Sequence, residues 1–217
     1  MSDNRQRLGV FSMTDELLDR GAGFAIPEDR PAIGADVSAF KAAFGLTVHE
    51  AQSILGILPS QWYEVTKHGN QPLVNVAVEF LLRYYADHPE AVPVMPSVSA
   101  EEVIDVLTDA DYPPRRWGPL IGRQAASGHR WKRKKQDLGP AAGRVAYYLV
   151  HEVKAGRLKQ WEHRYVDVIA KNRGVDDVMK SGSFRPKEKP KKKSATRAKR
   201  GAKKTAAKKK PSAKSRR

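Results

Sequence analysis

The chain has 217 residues, 40 Lys/Arg against 24 Asp/Glu and no cysteine. That is room for one large domain or two small ones, with no disulfide framework and no thiolate metal site, as fits a reducing compartment. No apolar run is long enough to span a bilayer: the longest, LVNVAVEFLL, is broken by Asn75 and Glu79.

The charge is unevenly distributed. Residues 1–112 hold 7 basic and 17 acidic side chains, residues 113–184 hold 16 and 6, and residues 185–217 hold 17 and 1. The first segment is therefore net −10, the second net +10 and the last net +16. A polyanion is drawn to the C-terminal half, and the acidic N-terminal half is left as a surface for a protein partner or a second copy.

Residues 1–35 carry scattered Gly and Pro and little periodicity, which predicts a flexible arm with at most one short helix, capped by Ser12 or Thr14 before DELLDR. The opening twenty residues mix both charge signs without an apolar core, which argues against a secretory signal. From Asp36 the pattern turns helical: Val37, Phe40, Ala43 and Phe44 share a face and Gly45 stops the run. In TVHEAQSILG, Thr47 and Glu50 have capping-box spacing and Gly56 ends the helix. PSQWYEVTKHG opens on Pro59, suited to a first helical turn, and closes at Gly69. QPLVNVAVEFLLRYYADHPE is a longer amphipathic helix stopped at Pro89.

Prolines make 92–98 an extended linker. Then Ser99 and Glu102 form a second capping box before AEEVIDVLTDA, YPPRRWGPLIG ends at Gly122, and AASGHRWKRKK and GPAAGRVAYYLVHEVKAGR follow. A last helix spans about Lys159 to Asn172. No window alternates over a strand length, so the fold class is all-α: two small helical modules, at 36–91 and 99–180. Beyond 181 the composition collapses to Lys, Ala, Pro, Ser and Arg, which cannot bury enough apolar surface to offset chain entropy and predicts a disordered basic tail over 181–217.

Residues 46–69 meet the demands of a helix-turn-helix. Ile54 and Leu55 supply core, Gly56 the turn, and Trp62 and Val65 face inward, leaving Ser60, Gln61, Tyr63, Glu64 and Lys67 facing out. With LG at 55–56, PSQWYEV at 59–65 and HGNQP at 68–72, the stretch from about 38 to 88 resembles the phage-repressor (Cro/C1, XRE-like) type of helix-turn-helix domain. Gln52, where that family has a small residue, and Leu58, where it has a Ser cap, depart from the pattern. A second copy falls 66 or 67 residues later: Gly122 lies on Gly56, Trp131 on Val65 and, after one inserted residue, Val145, Tyr147 and Leu149 on Val78, Phe80 and Leu82. GRxxxSGxRW at 122–131 resembles the repressor-type recognition segment, although Gly128 and Pro119 lower helix propensity.

The resemblance implies a sequence-specific, DNA-binding transcriptional regulator of bacterial or mobile-element origin, cytoplasmic and nucleoid-associated, with double-stranded DNA as partner and no cofactor. The second module is the more basic, with Arg123, His129, Arg130, Lys132, Arg133, Lys134 and Lys135 in thirteen residues. Phosphate neutralisation dominates DNA affinity, so these residues, with Gln124 and Ser127, form the stronger candidate interface. Arg130 is the candidate base reader and the run after it grips phosphates. In the first module Ser60, Gln61, Tyr63 and Lys67 are the equivalents. The tail resembles those of linker histones and screens phosphate without reading sequence. The alternatives are a nucleoid-associated architectural protein or an accessory subunit of a partition or DNA-processing complex. The tyrosine pairs 84–85 and 147–148 pack, with a dimer seam as one option.

Enzymatic readings fail on spacing. His49–Glu50 and His151–Glu152 lack the second histidine of a zincin, since Ser53 and Ala155 occupy that position. GAGFAIP lacks the Lys-Ser/Thr of a P-loop, and Asp105, Asp109 and Asp111 fit a helix end better than a metal site.

Overall fold

A computed structural model describes residues 21, 23–92, 98–134 and 137–186. The start of the N-terminal arm, most of the proline linker, Lys135, the side chain of Lys134 and the basic tail from 187 lie outside the described residues.

Among the described residues the fold is all-α, with one isolated antiparallel bridge between Ile33 and Pro72. Four helices come first: α1 (Gly34–Ala43), α2 (Val48–Leu55), α3 (Pro59–Lys67) and α4 (Val76–Asp87). Four more follow: α5 (Ala100–Asp109), α6 (Pro114–Leu120), α7 (Ala125–Lys134) and α8 (Pro140–Lys154). Next, α9 starts as Leu158–Trp161, widens to π winding over Glu162–Asp167 and returns to α over Val168–Asn172; α10 is Val178–Ser181. The caps act as the sequence predicts at Thr47, whose Oγ1 accepts from Glu50 N–H (3.2 Å) while Glu50 accepts from Thr47 N–H (2.7 Å). Ser99 caps α5 (3.1 Å), but the Glu102 carboxylate reaches across to Lys154 Nζ at 3.2 Å.

The internal repeat is visible in the helix register. α1, α2 and α3 begin 66 residues before α5, α6 and α7. The turns repeat their left-handed residues at the same interval: Gly45 (φ 60°) with Asp111 (φ 54°), and Gly56 (φ 62°) with Gly122 (φ 73°). The fourth helices correct the sequence alignment. α8 begins 64 residues after α4, so the second copy has lost two loop residues rather than gained one. At this interval Ala141 and Ala77, Tyr148 and Tyr84, and Leu149 and Tyr85 are buried pairs.

The boundaries expected at 92–98 do not divide the core. Residues up to Pro186 form one compact unit, and the two copies interlock through their turn glycines. A Cβ on Gly56 would lie 2.4 Å from Ala141 N in the first turn of α8, and one on Gly122 would lie 2.8 Å from Ala77 N in the first turn of α4. Each turn thus seats on the fourth helix of the other copy. The tyrosines expected to pack do so inside the chain for three of the four: Tyr84 stacks on Tyr148 at 4.2 Å, and Tyr148 Oη donates to Tyr85 Oη at 3.4 Å.

α4 is buried on all sides from Ala77 to Tyr85, as a central helix must be. It carries two buried charges, Glu79 and Arg83. Glu79 accepts from Ala32 N–H (3.1 Å), Arg83 Nε (3.4 Å) and Arg173 Nε (2.9 Å), while Arg83 Nη2 donates to Arg30 C=O (2.7 Å). The later part of the expected loose arm is therefore fixed. Phe24 and Ile26 are buried, and Phe24 meets Phe40 edge-on at 5.5 Å.

Candidate nucleic-acid interface

Each copy joins its second and third helices by a short turn, Gly56–Leu58 in the first and Ile121–Gln124 in the second. The following helix, α3 or α7, is the candidate reader. α3 buries Trp62 (5% exposed) and leaves Ser60, Gln61, Tyr63, Glu64 and Lys67 exposed, with Tyr63 at 74%. Gln52 is buried in α2, and Leu58 precedes α3 with 52% exposure, where Pro59 supplies the first-turn geometry a Ser cap otherwise secures.

α7 packs hard on α6. A Cβ on Gly128 would sit 2.0 Å from Pro114 C=O. The glycine that weakens the helix in isolation is what lets the two backbones approach. Ser127, Gly128 and Trp131 are buried. With 100° per residue, His129 and Arg133 then point directly away from the packed face, and Arg130 and Lys132 lie on its two flanks. All four are exposed, and among the described residues no carboxylate pairs with them. Arg130 is not aimed straight outward, as expected of a base reader. It turns along the helix and donates from Nη2 to Ser127 Oγ at 3.0 Å.

That turn brings Arg130 to a cleft of about 770 Å³ between the two copies. Six of the sequence-predicted residues meet there: Ser60 and Gln61 from α3, Arg123 and Gln124 from the turn before α7, and Ser127 and Arg130 from α7 itself. Tyr63, Lys67, His129, Lys132 and Arg133 do not line it. Arg123 is held by a bond from Nη2 to Leu138 C=O (3.2 Å). Two further walls were not legible in the sequence. The loop Gln71–Asn75 is pinned by Leu73, whose N–H donates to Ala32 C=O (2.8 Å) and whose C=O accepts from Arg173 Nη2 (2.6 Å). The strap Ser183–Arg185 crosses the other side. Phe184 is buried edge-on to Phe80 at 6.0 Å, and Gly182 C=O accepts from Ala125 N–H at 2.9 Å. No spacing signal links a residue at 184 to a helix at 125.

Among the described residues, no cluster of His, Asp and Glu is arranged to hold a metal ion, and no helix is long and apolar enough to cross a membrane. No family model, curated protein or solved structure matches this chain.

Proposed function

We propose that this chain is a sequence-specific DNA-binding transcriptional regulator of bacterial or mobile-element origin, not an enzyme. The observation that carries the reading is the outer face of α7. Its inner side is locked onto α6 by Gly128 and Trp131, while His129, Arg130, Lys132 and Arg133 stand in solvent without a carboxylate partner among the described residues. A rigid helix with unneutralised cations after a four-residue turn suits a groove-entering helix.

The mode of reading differs from two independent modules. Helices that enter successive major grooves are separated by about 34 Å. α3 and α7 instead flank one cleft, so they cannot serve two such half-sites. In this reading α7 enters a groove, and the exposed side of α3, with Tyr63 and Lys67, contacts the same stretch of duplex at its edge. His129 and Arg133, placed by helix period opposite the packed face, are the base readers in this reading, and Arg133 must release the bond from its Nε to His129 C=O (3.5 Å) to reach a base. Lys132 on the flank faces phosphates. The basic segment after residue 186 adds phosphate-binding charge that does not depend on sequence.

The test is selection of bound sequences from a random duplex pool with the full chain at physiological salt. A sharp motif supports the regulator. Arg133→Ala should then cost about 1–3 kcal/mol on the preferred site and relax one base position, whereas Lys132→Ala should weaken all sequences alike. The absence of any enriched motif would favour the architectural alternative, which rests on the 17 basic residues after position 184.

A further inference from the structure

We propose that the cleft between α3 and α7 is a binding site for a small phosphorylated organic molecule of nucleotide size. Its volume of about 770 Å³ falls within the range of sites that enclose small ligands. The lining divides into two chemistries. One wall, formed by α7 and the turn before it, is cationic with Arg123 and Arg130; Arg185 stands on the strap opposite, and Glu64 is the one carboxylate among the lining residues. The Glu64 carboxylate lies 3.9 Å from His68 Nε2 and its side chain is 74% exposed, so it does not neutralise the arginines opposite. Gln124 and Ser127 at the first turn of α7 line this same wall, where the helix dipole favours an anion. The other wall is apolar: Leu73, Val76, Val78 and Phe184.

Val74 adds an independent sign. It stands at the rim with 88% of its surface in solvent, although the loop that carries it is pinned on both sides of Leu73. A fixed loop holding an apolar side chain over an open cavity suits a ligand body that packs beneath it. Arg130 and Arg123, whose Nη2 groups are held by Ser127 and Leu138, would bind the phosphate through their remaining guanidinium N–H groups, and Gln61 and Gln71 also line the cleft with amides that can bond a polar ring. Duplex DNA is too wide to enter, and the chain's own tail has the wrong charge.

The experiment is calorimetric titration of the full chain, without DNA, with each of AMP, GMP, CMP and UMP in turn. The basic tail binds phosphates at many sites and in a salt-dependent way, so the signature sought is one ligand per chain that persists at physiological salt. At least one of the four should saturate the protein. Arg130→Gln should weaken it about tenfold, the loss expected for a charged hydrogen-bonding pair. Val74→Glu should weaken it several-fold, and because Val74 is exposed this change leaves the fold intact. Lys154→Gln, on the far end of α8, should change nothing. The proposal is overturned if none of the four nucleotides saturates, or if binding survives Arg130→Gln. Loss in Arg130→Gln without loss in Val74→Glu also overturns it, because the ligand would then lie on the outer face of α7. None of these outcomes depends on whether the chain reads DNA.

Discussion

Alanine at Gly56 puts the interlock between the two copies under direct strain. Two costs add. The backbone there is left-handed (φ 62°), where an L side chain costs about 1–2 kcal/mol. The new Cβ would also stand 2.4 Å from Ala141 N and 2.7 Å from Ala141 Cα. These are backbone atoms of α8 and cannot rotate aside, so α8 must shift, a misfit of the overpacking kind that costs about 1–3 kcal/mol. Gly156 separates the two effects, because its φ is 73° and nothing lies within 4 Å of its Cβ position. Gly156→Ala should lose only the backbone share, and Gly56→Ala about 2–5 kcal/mol, a large part of the stability of an ordinary domain. The assay is urea denaturation of the full chain followed by tryptophan fluorescence. Trp62 lies in the first copy and Trp117, Trp131 and Trp161 beyond it, so both copies report. Equal losses in the two variants, or a biphasic curve in the wild type, would refute an interlocked single body.

Three further outcomes follow from named contacts. Removing residues 187–217 while keeping the Phe184 strap should weaken binding to random DNA and flatten its salt dependence, read from affinities over a salt series; equal slopes would show that the tail makes no phosphate contacts. Glu79→Gln should destabilise the chain by about 3–5 kcal/mol, since it leaves the buried Arg83 and the nearby Arg173 without their anion; a thermal midpoint close to wild type would contradict this. Burial pushes the Asp87 carboxyl up, but hydrogen bonds from Arg164 and Tyr165 outweigh it and hold the group below its ordinary value. A depressed carboxylate contributes stability above the unfolded value of about 3.9, and that contribution is lost as pH falls through the folded value. Asp87→Asn should therefore be less stable than wild type at neutral pH, and the gap should close in acid; a gap constant with pH would remove Asp87 from the account.

The sequence by itself determined the helix boundaries that are set by residues close in the chain. Helix starts at Thr47, Pro59 and Ser99 and the helix end at Gly56 are set by side chains within three or four positions of the backbone they satisfy, and the 3.6-residue period marks Trp62 and Trp131 as inward-facing. The repeat was legible for the same reason, since its turns recur at a fixed interval. The tertiary structure decided whatever depends on partners far apart. Gly128 reads as a weak point in a helix until Pro114 C=O is seen 2.0 Å from where its Cβ would be. Arg130 and Gln61 read as parts of separate modules until the fold sets both on one cleft. Glu79 reads as an interruption in an apolar run, and only the fold brings Ala32, Arg83 and Arg173 around it. The cleft itself joins α3, the loop at 71–75, the start of α7 and the strap at 183–185. Local spacing carries no information about such a meeting, because it is fixed by which surfaces the two interlocked copies bury against each other.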